Sequence, residues 1–314
     1  MYHTRNRTEI PIFFATDDNY APFLGVAIES IMENVSKEYV CKIHVLTTDL
    51  SPYNRAAIRR CVKSPATVEF VDVSEQVKTI AHRLHLRDYY TRATYYRFFI
   101  ANLFPQYDKA LYLDCDIVVT GDVAQLYNTE LGDNLVGAIQ EEVMNTVDVF
   151  GTYVEAVMDI PRQAYFNAGV LVMNLKEFRR INIEKEFLKL LEKRKFEVTQ
   201  DQDYLNVICY KKSVPIWLDW NKTPIENPLY SKTATPKLVH YKINWKPWHY
   251  NNVMYGDVFW KYASKTPYNR RILKMLRNYS DEEKQRDIEA YNNLYNLAER
   301  LIADTSPTYC NGNA

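Results

Sequence analysis

Leu111-Tyr112-Leu113-Asp114-Cys115-Asp116-Ile117-Val118 sets two carboxylates two residues apart inside an otherwise apolar run. With its flanks, the run from Ala110 to Val119 predicts one buried strand, and strands apolar along both faces belong to a mostly parallel sheet covered on both sides. On a strand, positions two apart point to the same side, about 7 Å apart along the backbone. The apolar residues before the pair place it at the strand's carboxyl end, where open α/β sheets bind ligands. Two hard oxygen donors suit Mg²⁺ or Mn²⁺, which keep positions open for phosphate oxygens. Asp-x-Asp also arises by chance on solvated turns. Inside an apolar strand, however, two unpaired carboxylates are costly unless a cation balances them.

The surrounding chain alternates short β-rich runs with helical patterns. Ile10–Thr16, Lys42–Thr47 and Val68–Val73 read as strands, and Phe23–Met32 as an amphipathic helix after Pro22. Ser51–Pro52 opens a helix, with serine as N-cap and proline at the first helical position. Thr94–Phe104 is expected to be helical and to stop before Pro105. Val136–Ile139 and Gly169–Leu175 read as strands, Glu184–Arg194 and Asp203–Tyr210 as helices, and Pro215–Tyr250 as loops around short strands. From Asp257 the chain is helical and tyrosine-rich. Ser280 and Glu283 form a capping box, and residues after about Ala303 read as frayed. The expected architecture is α/β, with a mostly parallel central sheet, helices on both faces and a helical C-terminal extension.

Composition narrows the function classes. Of 314 residues 47% are hydrophobic and 25% charged, enough apolar material for a large core. The 39 basic and 39 acidic side chains cancel, which argues against a nucleic-acid partner. Five scattered cysteines without a CxxC pair form neither a disulfide framework nor a zinc site. No run approaches the roughly 20 apolar residues of a membrane span. The opening residues lack a secretory core, so the expected compartment is the cytoplasm, and sequons such as Asn221-Lys222-Thr223 carry little weight.

Four further segments hold candidate chemistry. Thr16-Asp17-Asp18-Asn19-Tyr20 follows the first strand and reads either as a nucleobase-contacting edge or as a helix cap. Phe166-Asn167-Ala168-Gly169-Val170 lets backbone approach a ligand closely, and Gln200-Asp201-Gln202-Asp203 offers a carboxylate and an amide, or simply helix capping. Val239-His240-Tyr241-Lys242-Ile243-Asn244-Trp245-Lys246-Pro247-Trp248-His249 pairs an imidazole suited to a metal with a lysine suited to a phosphate.

Together, and in this order from about Ile10 to His249, these segments resemble the retaining glycosyltransferases of family 8. That family includes bacterial lipopolysaccharide galactosyl- and glucosyltransferases and, more distantly, glycogenin. The resemblance implies a GT-A fold with a Rossmann-like sheet over residues 8–256, followed by the helical extension 257–314. It also implies a UDP-sugar donor, UDP-glucose or UDP-galactose, with Mn²⁺ or Mg²⁺, and a glycan or glycolipid acceptor. By position, Asp114, Asp116 and His240 match the family's metal ligands. Asp17 and Asn19 match the uridine segment, Arg97 a basic residue near the donor, and Lys246 the lysine on the diphosphate. Glu141, Asn167, Asp201 and Gln202 match residues lining the sugar and its anomeric carbon. Retention then proceeds either by double displacement through Asp201 or by same-face attack supported by Gln202.

Three departures stand out. Ile243 replaces the glycine usual between the histidine and the lysine, and Glu141 is longer than the aspartate of the closest bacterial relatives. The extension lacks an obvious basic, Trp-rich tail. Its segment around Trp260, Lys261, Tyr262, Lys265, Arg270 and Arg271 reads first as a solvated helical face and second as a peripheral membrane contact. Two rival readings are a nucleotide-sugar-binding relative without turnover and a DxD phosphatase. Phosphatases of that type need a Gly-Thr after the pair, where Ile117 and Val118 stand.

Overall fold

A computed structural model describes residues 7–78, 92–226, 235–242 and 244–305. Its strands are Thr8–Ala15 (β1), Tyr39–Thr47 (β2), Thr67–Asp72 (β3), Lys109–Leu113 (β4), Ile117–Val119 (β5), Val136–Gln140 (β6), Phe166–Asn174 (β7), Ser213–Pro215 (β8) and Leu238–His240 (β9). The main sheet has the order β3-β2-β1-β4-β7-β6-β8, and β5 pairs with β9 in a second, two-stranded sheet. Pairing in the main sheet is parallel except along β7, which runs antiparallel to both β4 and β6. The mostly parallel α/β reading therefore holds.

Period-two alternation sends side chains into two cores, one on each face. Ile12, Phe14, Leu111 and Leu113 pack on one side with the helix Ala21–Asn34, while Phe13, Tyr112, Leu171 and Met173 pack on the other with the helix Asp148–Met158. Such double-sided burial explains why the β1 and β4 sequences are continuous apolar runs. Ser51 caps the helix Pro52–Cys61 as its sequence implies, its hydroxyl accepting from the Asn54 N–H at 3.3 Å.

Two expectations change. The run Ala110–Val119 is not one strand: β4 ends at Leu113, Asp114-Cys115-Asp116 form a bend, and β5 leaves for the second sheet. The reason is pairing. The Asp114 N–H still bonds the Gly169 carbonyl at 2.8 Å, whereas the Asp116 carbonyl accepts from Tyr241 N–H at 2.9 Å, beyond the end of β9. The expected helix at Thr94–Phe104 is mostly a 3₁₀ segment, Arg92–Phe99, with only Ile100–Leu103 α-helical.

The C-terminal helices Gly256–Ala263, Asn269–Asn278 and Asp281–Thr305 pack onto this frame. Tyr268 lies so close over Gly25 that a Cβ there would sit 2.7 Å from its ring. The capping box forms, with the Ser280 N–H donating to Glu283 (2.7 Å) and the Glu283 N–H to Ser280 Oγ (3.2 Å). Asp287 on the last helix accepts from Tyr250 and Tyr279 hydroxyls at 2.7 and 2.8 Å, tying that helix to the segment after Lys246. Among the described residues no helix is long and apolar enough to cross a membrane. Ile243 and the segment after Thr305, with Cys310, lie outside the described residues.

Candidate active site

The bend Asp114–Asp116 lies at the carboxyl end of β4, and β9 brings His240 beside it, opposite Ile117 in register. One donor atom each from Asp114, Asp116 and His240 lies within 4.8 Å of the others. His240 Nε2 stands 3.2 Å from Asp116 Oδ1 and 3.7 Å from Asp114 Oδ2. Three lone-pair donors thus converge on one point, the chemistry of a site for a hard or borderline divalent cation. Gly169 makes the space. A Cβ there would lie 2.4 Å from both Asp114 Oδ2 and His240 Cε1, so any side chain would displace a ligand.

The cavity in front of these groups is lined by Asp17, Arg97, Asn167, Asp201 and Gln202 as well as Asp114, Asp116 and His240. Arg97 is buried at its wall. It donates to the Ala168 carbonyl, pairs with Asp114 Oδ1 and Asp201 Oδ2 at 3.3 and 3.2 Å, and lies 4.2 Å over the Tyr112 ring. Burial pushes the Asp201 carboxyl up to about 6; Arg97 opposes that rise and Asp114 adds to it. Burial would also raise Asp116, but Lys246, 2.6 Å away, outweighs it and holds that carboxyl well below the usual range.

Three of the four sugar-matching residues, Glu141, Asn167 and Gln202, form one hydrogen-bonded network, while Asp201 pairs with Arg97. Gln202 Oε1 accepts from the Ala168 N–H (2.9 Å) and from Asn167 Nδ2 (3.1 Å), while Asn167 Nδ2 also donates to Glu141 (2.6 Å). Glu141 caps the helix Glu142–Thr146 and pairs with Lys242. Burial opposes ionisation of Glu141, yet Lys242, Asn167 and the Val143 N–H together lower its pKa below the ordinary value. Asp203 stands behind this wall, accepting from the hydroxyls of Tyr153 and Tyr165 and from Thr199. It holds the turn in which Gln200 takes φ +54°, a strained conformation for a side-chain-bearing residue.

Three matched residues stand apart from the cavity lining. Asn19 is exposed on the turn, where its N–H and that of Tyr20 both donate to Asp17 Oδ1 at 2.9 Å. Glu141 sits behind Asn167, and Lys246 behind Asp116, its Nζ also donating to the Tyr241 carbonyl. Two residues carry parts that the sequence does not announce. Lys242 lines the cavity in its pair with Glu141. Asn221, only 6% exposed, bonds both His240 and Asn167. The one sequence signal at Asn221 is its sequon, which its burial sets aside.

The family model for glycosyl transferase family 8 matches residues 11–252. Among curated relatives, general stress protein A of Bacillus subtilis is 27% identical over 82% of this chain and 94% of its own length. Lipopolysaccharide 1,3-galactosyltransferase of Salmonella typhimurium is 28% identical over 76% of this chain and 72% of its own length. The galactosyltransferase LgtC, solved with donor and acceptor sugar analogues, superposes with a TM-score of 0.70 at 29% identity, covering 82% of this chain and 96% of LgtC. The bifunctional glycosyltransferase WbbM gives 0.76 at 27% identity over 88% of this chain, which spans 53% of WbbM. The sheet order, the strand-end carboxylates and the matched span agree: this chain belongs to glycosyl transferase family 8 and has the GT-A fold.

Proposed function

We propose that the chain is a retaining, metal-dependent hexosyltransferase that moves glucose or galactose from a UDP-sugar to a glycan or glycolipid acceptor. The observation that carries this reading is the convergence of Asp114, Asp116 and His240 beside the Asn167–Gln202–Glu141 network. It is supported by relatives named as galactosyltransferases. Mn²⁺ or Mg²⁺ held by the three ligands supplies charge stabilisation for phosphate oxygens and for a departing diphosphate.

The chain's own residues do the rest. Lys246 is assigned to the diphosphate from behind Asp116, acting across that carboxylate rather than from the cavity lining. Asp17 shapes the turn at the nucleoside end, and Asn19 presents its side chain outward from that turn. Lys242 and Asn167 orient sugar hydroxyls, Glu141 acts through its bonds to both, and the Ala168 N–H fixes Gln202 so that its carbonyl oxygen faces Asn167. Asp201 is already engaged by Arg97, which favours same-face attack over a covalent intermediate on Asp201. The donor site belongs to residues 8–256, with 257–314 as a helical extension, and the enzyme works in the cytoplasm. In the extension's basic, aromatic segment, the exposed Lys261, Lys265, Arg270 and Arg271 are assigned to a solvated face, while Tyr262 is buried in the core and Trp260 packs against it.

The test is a panel of UDP-sugars with Mn²⁺, with and without glycan acceptors, read by UDP release and product mass spectrometry. Transfer of a hexose with retained configuration is the expected result. Metal-dependent UDP binding without turnover on any donor would favour the binding-module reading instead.

A further inference from the structure

We infer that Asn221 is a positioning residue. It holds His240 in the tautomer whose Nε2 lone pair faces the carboxylate pair, and it ties that metal ligand to the sugar-facing Asn167. The inference rests on the reading that Asp114, Asp116 and His240 hold a divalent cation.

The orientation of the whole chain of contacts follows from two backbone N–H groups, which can only donate. The Gly169 N–H donates to one terminal atom of the Asn167 carboxamide at 2.9 Å, so that atom is oxygen. The same oxygen lies 2.8 Å from Asn221, so Asn221 must present its NH₂ there. Its oxygen then faces His240 Nδ1 at 2.9 Å, and Nδ1 must carry the hydrogen. The second backbone donor, Ala168 N–H, fixes Gln202 Oε1, which in turn requires the Asn167 NH₂ to point towards Gln202 and Glu141. Both ends of the network agree. Reversing Asn221 would set oxygen against oxygen at Asn167.

The consequence for His240 is directional. Without an acceptor at Nδ1, the carboxylates of Asp114 and Asp116 would draw the ring's single proton to Nε2, the atom needed by a cation. Asn221 opposes that shift by accepting from Nδ1. Its backbone is anchored for the task, since the Lys222 N–H donates to Leu238 O and the His240 N–H to Lys222 O, each at 2.9 Å. Partners of this kind on metal-ligating histidines typically account for about 10–100-fold in metal affinity.

Mn²⁺ affinity of the full chain, measured by electron paramagnetic resonance, and ¹⁵N shifts of histidine-labelled protein at alkaline pH test this. In the wild type, His240 should show the Nδ1–H tautomer. Asn221→Ala should move the proton to Nε2 and weaken Mn²⁺ by about 10-fold or more. Asn221→Asp keeps an oxygen towards Nδ1 but loses the donor to Asn167; it should keep Mn²⁺ affinity within about threefold while turnover falls. A folded Asn221→Ala protein with unchanged Mn²⁺ affinity and unchanged tautomer overturns the inference. Should that variant not fold, loss of Mn²⁺ affinity and Nδ1–H in Asn221→Asp overturns it. If the wild type and His240→Ala alike bind no Mn²⁺, the metal reading falls, and the ¹⁵N tautomer alone decides the role of Asn221.

Discussion

Gly169 and Asp114 approach so closely that a single added methyl on Gly169 would overlap the Asp114 carboxylate, at 2.4 Å from Oδ2. The same methyl would meet His240, so two of three candidate ligands must move together. Gly169→Ala should therefore weaken Mn²⁺ binding and reduce kcat/KM by about 100-fold, a loss of roughly 3 kcal/mol in transition-state stabilisation. Parallel Mn²⁺ titration and steady-state kinetics check this; unchanged Mn²⁺ affinity would show that the cation is held elsewhere.

Removing the cation should reproduce the loss without any substitution. Chelation of the wild type is expected to abolish transfer, with recovery on adding Mn²⁺. His240→Ala should need far more Mn²⁺ for half-maximal activity. Full activity in chelator would refute a metal-dependent site.

The pair of half-buried Lys242 with buried Glu141 carries a stability prediction. Its side chains are 11% and 6% exposed, so Lys242→Ala leaves Glu141 without its charge partner, at a cost of about 3 kcal/mol. Adding Glu141→Gln should restore most of that loss in urea denaturation. Because the folded pKa of Glu141 is depressed, its contribution is present above the unfolded carboxylate value and is lost as pH falls through the folded one. Equal destabilisation by Lys242→Ala at neutral pH and in strong acid would contradict this.

Asp201 has the opposite sign. Its carboxyl is pushed up to about 6, above the unfolded value of about 3.9, so the folded chain binds that proton more tightly. Its ionisation then lowers stability as pH rises between those values, by up to about 3 kcal/mol in metal-free protein. The stability of Asp201→Asn relative to wild type should accordingly improve from pH 4 to pH 7, in roughly that window. An unchanged difference at the two pH values would contradict the raised pKa.

Asp201→Asn also addresses stereochemistry. With Asp201 committed to Arg97, the variant should turn over more slowly yet still give a retained product. Inverted product, or a trapped sugar ester on wild-type Asp201, would restore the double-displacement route.

Much of this site is legible in the residues themselves. Asp114 and Asp116 come at the end of one apolar strand and His240 closes a second, so their types and places mark a candidate cation site. The GT-A sheet is legible for the same reason, because β1 and β4 are buried on both faces and contain little besides apolar residues. The break at Asp114 is not. Ala110–Val119 has one continuous apolar pattern, and what ends β4 is the pairing of Ile117–Val119 with Leu238–His240, more than a hundred residues downstream. Asn221 is silent for a related reason: its role exists only where β9 brings His240 to it. Lys242 reads as an ordinary loop lysine until Glu141 is placed beside it.

The bend at Cys115 gives the two aspartates different loyalties. Asp114 is hydrogen-bonded to the large sheet through Gly169, and Asp116 to Tyr241, the residue that follows β9 of the small one. A cation gripping both would act as a rivet between two separately built plates, and its preferred radius would depend on their alignment. Remote substitutions that slide one sheet against the other should therefore surface first as altered discrimination between Mg²⁺ and Mn²⁺, before any ligand is touched.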